Sequence, residues 1–119
     1  MSSPGGPWVM SAMIGRRTEG DALQLVEQLA ISEPADLVLV LHVVRGDWQG
    51  PVPVRVTGQS PSDERVARLE LDLDLPAAPE ATGRVVVPLA LASVRPGVYW
   101  FDVVVGETTM TRVPLPIRG

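Results

Sequence analysis

The chain has 119 residues, 45% of them hydrophobic and 20% charged, which is enough apolar content for one packed domain and too much for a disordered chain. It contains no cysteine, so disulfide scaffolds and thiolate-held zinc or iron-sulfur sites are excluded. Net charge is −4, all ten basic residues are arginines, and they are scattered from Arg16 to Arg118 without forming a stripe, so a nucleic-acid interface is not expected.

Met1 to Gly6 is rich in Ser, Pro and Gly and reads as a flexible leader to a single domain over 7–119. It has neither the charged nor the apolar region of a secretory signal, and no apolar run approaches the ~20 residues of a spanning helix. A cytoplasmic location is the resulting expectation. Trp8 to Arg16 is a first apolar strand, ended by a turn around Gly20.

Ala22 to Ile31 supports two readings. Ala22, Leu25, Val26, Leu29 and Ala30 keep helical spacing with Asp21 as a cap, whereas Leu23, Leu25, Leu29 and Ile31 alternate as a strand with only Glu27 out of place. A strand agrees better with the β-rich segments on either side. Leu37 to Val44 is a continuous apolar run containing His42, as expected of a central strand buried on both faces. Val52, Val54 and Val56 alternate with Pro53, Arg55 and Thr57, and Pro53, which has no N–H for a ladder, predicts an edge strand or a bulge. Ser60 to Arg65 has the serine cap and following proline of one short helical turn.

Leu69, Leu71, Leu73 and Leu75 alternate with Glu70, Asp72 and Asp74, the pattern of a half-buried strand with a carboxylate row facing water. Arg84 to Leu91 places Val85, Val87, Leu89 and Leu91 on one face. The Pro96-Gly97 turn launches a strand with Tyr99, Phe101, Val103 and Val105 on one side and Val98, Trp100, Asp102 and Val104 on the other. Gly106 suits the first central position of a type II′ hairpin turn, and Pro114 and Pro116 mark the last strand as an edge near its end.

These signals predict an all-β, antiparallel sandwich of seven or eight strands. The corner Pro96-Gly97-Val98-Tyr99-Trp100-Phe101 resembles that of immunoglobulin-like and fibronectin type III-like sandwiches. Gly20-Asp21-Ala22-Leu23-Gln24-Leu25-Val26, the Leu37 to Arg45 strand, this corner and Gly106-Glu107 together resemble a family of small bacterial proteins of unassigned function. In that family a Gly-Lys-Leu-Ser-Leu-like strand follows the first strand and a Pro-Gly-x-Tyr-x-Phe hairpin closes the sandwich. Here Asp21-Ala22 stands where the lysine would be, and the first strand has no cysteine. The resemblance implies an immunoglobulin-like fold and transfers no site residues.

Chemistry is sparsely represented. Residues two apart on a strand lie roughly 7 Å apart, too far for Glu70, Asp72 and Asp74 to wrap one cation unaided, so they read as a solvated face. His42 is the single histidine and lies in an apolar strand; no Gly-x-Ser-x-Gly elbow or phosphate-cradling loop is present. No catalytic residue, metal ligand or cofactor is assigned. Tyr99, with Pro96 and Gly97, reads as a structural corner whose hydroxyl satisfies a backbone group.

Trp48, with Asp47 and Gln49, sits in a turn and forms the candidate interaction surface, its indole either anchoring a partner or folding back over the end of the core. The function expected is a non-enzymatic protein-binding or structural accessory module, working through that loop or by strand addition at a proline-marked edge. A carbohydrate-binding module, with Trp48 as platform and Glu70, Asp72 and Asp74 as polar partners, is the alternative. An open edge strand would also admit a homodimer.

Overall fold

The computed structural model describes residues 5–17, 22–30, 37–89 and 95–119, with residues 108–110 as backbone only. The described residues form nine strands: β1 (Trp8–Arg17), β2 (Leu23–Leu25), β3 (Leu29–Ala30), β4 (Leu37–Val44), β5 (Val52–Gln59), β6 (Arg65–Leu73), β7 (Thr82–Leu89), β8 (Gly97–Val105) and β9 (Thr108–Arg118). Seven are long, and β2 and β3 add two short ones. The first sheet has the order β2-β1-β4-β7 and the second β3-β9-β8-β5-β6. β1 meets β9 along one side of the pair and β6 approaches β7 along the other.

Period-two alternation builds the core. Leu39 and Leu41 of β4, Val85 and Val87 of β7, and Ile14 of β1 face Val54 and Val56 of β5, Tyr99, Phe101, Val103 and Val105 of β8, and Leu115 and Ile117 of β9. Leu69, Leu71 and Leu73 of β6 pack half-buried against the same cluster, while Arg68, Glu70 and Asp72 on its other face are exposed. This is an immunoglobulin-like sandwich, all-β as its alternation predicts.

The segment from Ala22 to Ala30 is neither a helix nor one strand. β2 pairs antiparallel with β1 in the first sheet, and β3 pairs parallel with β9 in the second. The changeover occurs at Val26-Glu27-Gln28, where Val26 is buried and its N–H donates to Ile14 O at 2.8 Å. Glu27, the residue that broke the alternation, therefore lies where the chain passes between sheets. The β3–β9 pairing also makes the sandwich not wholly antiparallel. Ile31 lies outside the described residues.

Pro53 does not mark an edge, because β5 lies between β8 and β6. Its carbonyl accepts from Gly106 N at 2.9 Å, so its ring nitrogen points to the same side, beyond Val105, where the β5–β8 ladder has ended. No ladder bond is lost there. The edge strand on that side of the sheet is β6. Ser60 to Arg65 forms a hairpin turn in place of a helical one: Ser60 Oγ accepts from Ser62 N and Glu64 N, and Asp63 takes φ 64°.

At the other hairpin Gly106 has φ 72° while Glu107 keeps a negative φ, the type II′ combination that matches strand twist. Pro114 and Pro116 lie on β9, which is open opposite β8 except where β3 adds at Ile117 and Arg118. Leu91, expected on the face of β7, lies outside the described residues.

Candidate interaction surfaces

Three regions carry the residues that the sequence singles out. The first is the corner, where Arg95 N donates to Tyr99 Oη at 3.0 Å while the Tyr99 ring is buried in the core. Gly97 has φ 132°, and a Cβ there would lie 2.6 Å from Cγ of Pro61, so the corner requires glycine for two separate reasons. Pro96 is exposed beside it.

The second region is the loop between β4 and β5, organised by Arg45. This side chain is 7% exposed, and its donors reach four backbone carbonyls: Nε to Pro76 at 2.8 Å, Nη1 to Trp48 at 2.9 Å and Gly50 at 2.8 Å, and Nη2 to Leu75 at 2.6 Å. Its fork ties the β4–β5 loop to the β6–β7 loop, a geometry that suits a planar guanidinium. Backbone bonds from Arg45 N to Ala81 O and from Gly46 N to Pro79 O, both 2.9 Å, run alongside.

Trp48 is half-buried against the core, with Nε1 donating to Pro51 O at 2.9 Å and its ring beside Gly106. Asp47 and Gln49 are exposed. Asp47 Oδ2 accepts from Gly5 N at 3.1 Å and Asp47 N donates to Gly5 O at 2.5 Å, so the start of the described chain is bound to this loop. The Trp8 indole lies over Gly5 and Gly46 at the same place.

The third region, which sequence reading missed, is the outer face of the four-stranded sheet. Cross-strand register defines its rows: Trp8–Val44–Thr82, Ser11–His42–Arg84, Met13–Val40–Val86, Leu25–Gly15–Val38–Pro88 and Leu23–Arg17. Met10 sits at the bulge between Val9 and Ser11. Among the described residues, five of the six exposed large hydrophobics belong to this sheet: Trp8, Met10 at 64%, Met13, Leu25 at 58%, and Val86. Val38 and Val40 point outward yet are buried. Half-buried His42 is positioned by Ser11, whose Oγ lies 2.9 Å from Nδ1.

The outer face of the other sheet differs. Arg68 Nη2 meets Glu70 Oε1 at 2.7 Å, Arg112 Nε meets Asp102 Oδ1 at 3.1 Å, and the Arg112 guanidinium carbon lies 4.5 Å from the centre of the Trp100 ring. The hydrogen bond and charge of Arg68 hold the Glu70 carboxyl below the usual carboxylate range. Trp100 is thus half-covered by a cation on a face that mixes these ion pairs with exposed Val98 and Pro114.

Among the described residues no three His, Cys, Asp or Glu side chains converge to hold a metal, and no helix is long and apolar enough to cross a membrane. The surface hollows are open and shallow. One of about 290 Å³ is lined by Arg17, Leu23, Arg84 and Val86 on the outer face of the four-stranded sheet, and one of about 210 Å³ lies around the Arg45–Gly50 loop.

No family model and no curated protein matches the chain. Among solved structures it is similar to an immunoglobulin-like protein (PA1606) from Pseudomonas aeruginosa, at 12% identity and a TM-score of 0.60, over 98% of this chain and 100% of that one. It is also similar to the CARDB domain of the PF1109 protein from Pyrococcus furiosus, solved in complex with di-metal ions, at 9% identity and a TM-score of 0.49, over 98% of this chain and 97% of that one. The first likeness shows the immunoglobulin-like fold.

Proposed function

We propose that this immunoglobulin-like sandwich is a non-catalytic binding module that recognises a protein partner across the outer face of its four-stranded sheet. One observation carries the reading: among the described residues five of the six exposed large hydrophobics gather on that face, while the opposite face exposes Val98 alone of these and carries two ion pairs. With ordinary side-chain areas of roughly 150–250 Å², the five residues expose roughly 450 Å², the size at which a surface patch is often functional. Asp47 and Gln49 border this patch, because Trp8 at its end packs on Gly46. The loop is then a rim to the surface, with Trp48 fixing its shape.

Photo-crosslinking in the native host tests the reading, with benzoylphenylalanine placed at Met13 or, on the other sheet, at Thr57. Discrete protein adducts should form from position 13 and not from 57. Excess wild-type protein should compete them away, and a Met10→Asp/Val86→Asp double variant should not. Equal adducts from both positions, or equal competition by the variant, would refute it.

A further inference from the structure

The proposed binding face has a charge as well as an apolar character. Its strands present Trp8, Met10, Met13, Leu25 and Val86 around an apolar floor, and their ionisable outward residues are Arg17, Arg84 and His42. No aspartate or glutamate occurs among its described outward positions, in a chain whose formal charge is −4. Arg17 and Arg84 are both exposed and enter the same hollow of about 290 Å³, one from β1 and the other from β7. Their backbones lie three cross-strand rows apart, roughly 20 Å along the strands, and the two side chains reach toward the hollow between them.

Resting on the reading above, we infer that the partner is an acidic protein segment: an extended stretch with apolar side chains toward the face and a close pair of carboxylates that enter the hollow shared by Arg17 and Arg84. The apolar side chains cover Met13 and Val86, and the carboxylates meet Arg17 and Arg84. Charge complementarity selects this occupant. A second copy would set arginine-bearing faces against each other, and like charges across an interface disfavour that pairing. A bilayer is a poor fit to a face whose central Val38 and Val40 are buried and offer no apolar surface to lipid.

Fluorescence anisotropy with the full chain tests this with three labelled ten-residue peptides of alternating valine and threonine, carrying two glutamates, two glutamines or two lysines two residues apart on one face. The glutamate peptide should bind about tenfold tighter than the glutamine peptide, and the lysine peptide weakest. Raising salt to about 0.5 M should shrink the difference, and an Arg17→Glu/Arg84→Glu double variant, both sites being exposed, should reverse the order.

Equal binding of glutamate and glutamine peptides would overturn the acidic partner while leaving the apolar binding face standing. Absence of binding by all three, together with no adducts from Met13, would remove both. Binding to phosphatidylserine vesicles without peptide discrimination, or a dimer in sedimentation that Met13→Glu dissociates, would overturn the inference in favour of a lipid surface or a second copy.

Discussion

Replacing Arg45 by methionine keeps the aliphatic stem and removes the fork that holds four carbonyls. Two effects oppose each other. Burying a guanidinium is costly, and methionine recovers that cost; where a whole polar cluster is exchanged for apolar groups, the result is often neutral. Here the acceptors are backbone carbonyls and stay behind. Gly50 and Pro76 are exposed and water can replace the arginine, whereas Trp48 and Leu75 are half-buried. Two stranded acceptors at about 1–2 kcal/mol each leave a net loss of about 2–4 kcal/mol.

Unfolding entropy for a domain of 119 residues converts this to a fall in Tm of roughly 8–16 °C. Calorimetry with urea denaturation measures both quantities. Arg45→Lys, which keeps the charge without the planar fork, should fall between the two. A Tm for Arg45→Met at or above wild type would mean that the desolvation cost outweighs the four bonds, and the account of the loop would fail.

Tyr99→Phe should cost about 1 kcal/mol or more, through loss of the acceptor for Arg95 N with the ring still packed; an unchanged urea midpoint would show that water satisfies Arg95 N as well. Gly97→Ala should cost about 1–3 kcal/mol through φ 132° and the clash with Pro61, and a neutral result would mean that the turn relaxes freely. Because the folded-state pKa of Glu70 is depressed, its contribution is present above the unfolded carboxylate pKa and is lost as pH falls through the folded value. The stability gap between wild type and Glu70→Gln should therefore close in acid and narrow with salt, and a gap that widened on acidification would reverse the assignment.

Alternation made most of the architecture legible. Leu69, Leu71 and Leu73, and the run from Tyr99 to Val105, lie on the faces that their period predicts, and the turn at Gly106 follows from the freedom of glycine. Two places were illegible for identifiable reasons. Between Ala22 and Ala30 the chain serves two sheets in turn, so no single strand alternation holds throughout, and Glu27 at the changeover is the residue that breaks it. Arg45 reads as the polar residue ending an apolar strand, and only the three-dimensional meeting of two loops gives it four carbonyls. The apolar face did leave a signal in β4, where His42 alone interrupts an otherwise apolar run, so something must cover the outward positions. Its size depended on Met10, Met13 and Val86, whose side of the sheet the sequence does not specify.

β6 and β4 serve as mutual controls within one sandwich. Folding needs the inward positions of each, and β6 meets that need while its outward positions are Arg68, Glu70 and Asp72. The outward apolar residues beside β4 are therefore not demanded by the core, and those farthest from cover should be dispensable for stability. Met10→Gln/Val86→Thr should stay within about 0.5 kcal/mol of wild type for each substitution, as surface changes usually do, while abolishing the adducts formed from position 13. A fall in Tm of more than about 5 °C would instead identify these side chains as structural cover for Val40, and the case for a binding face would lose the observation that carries it.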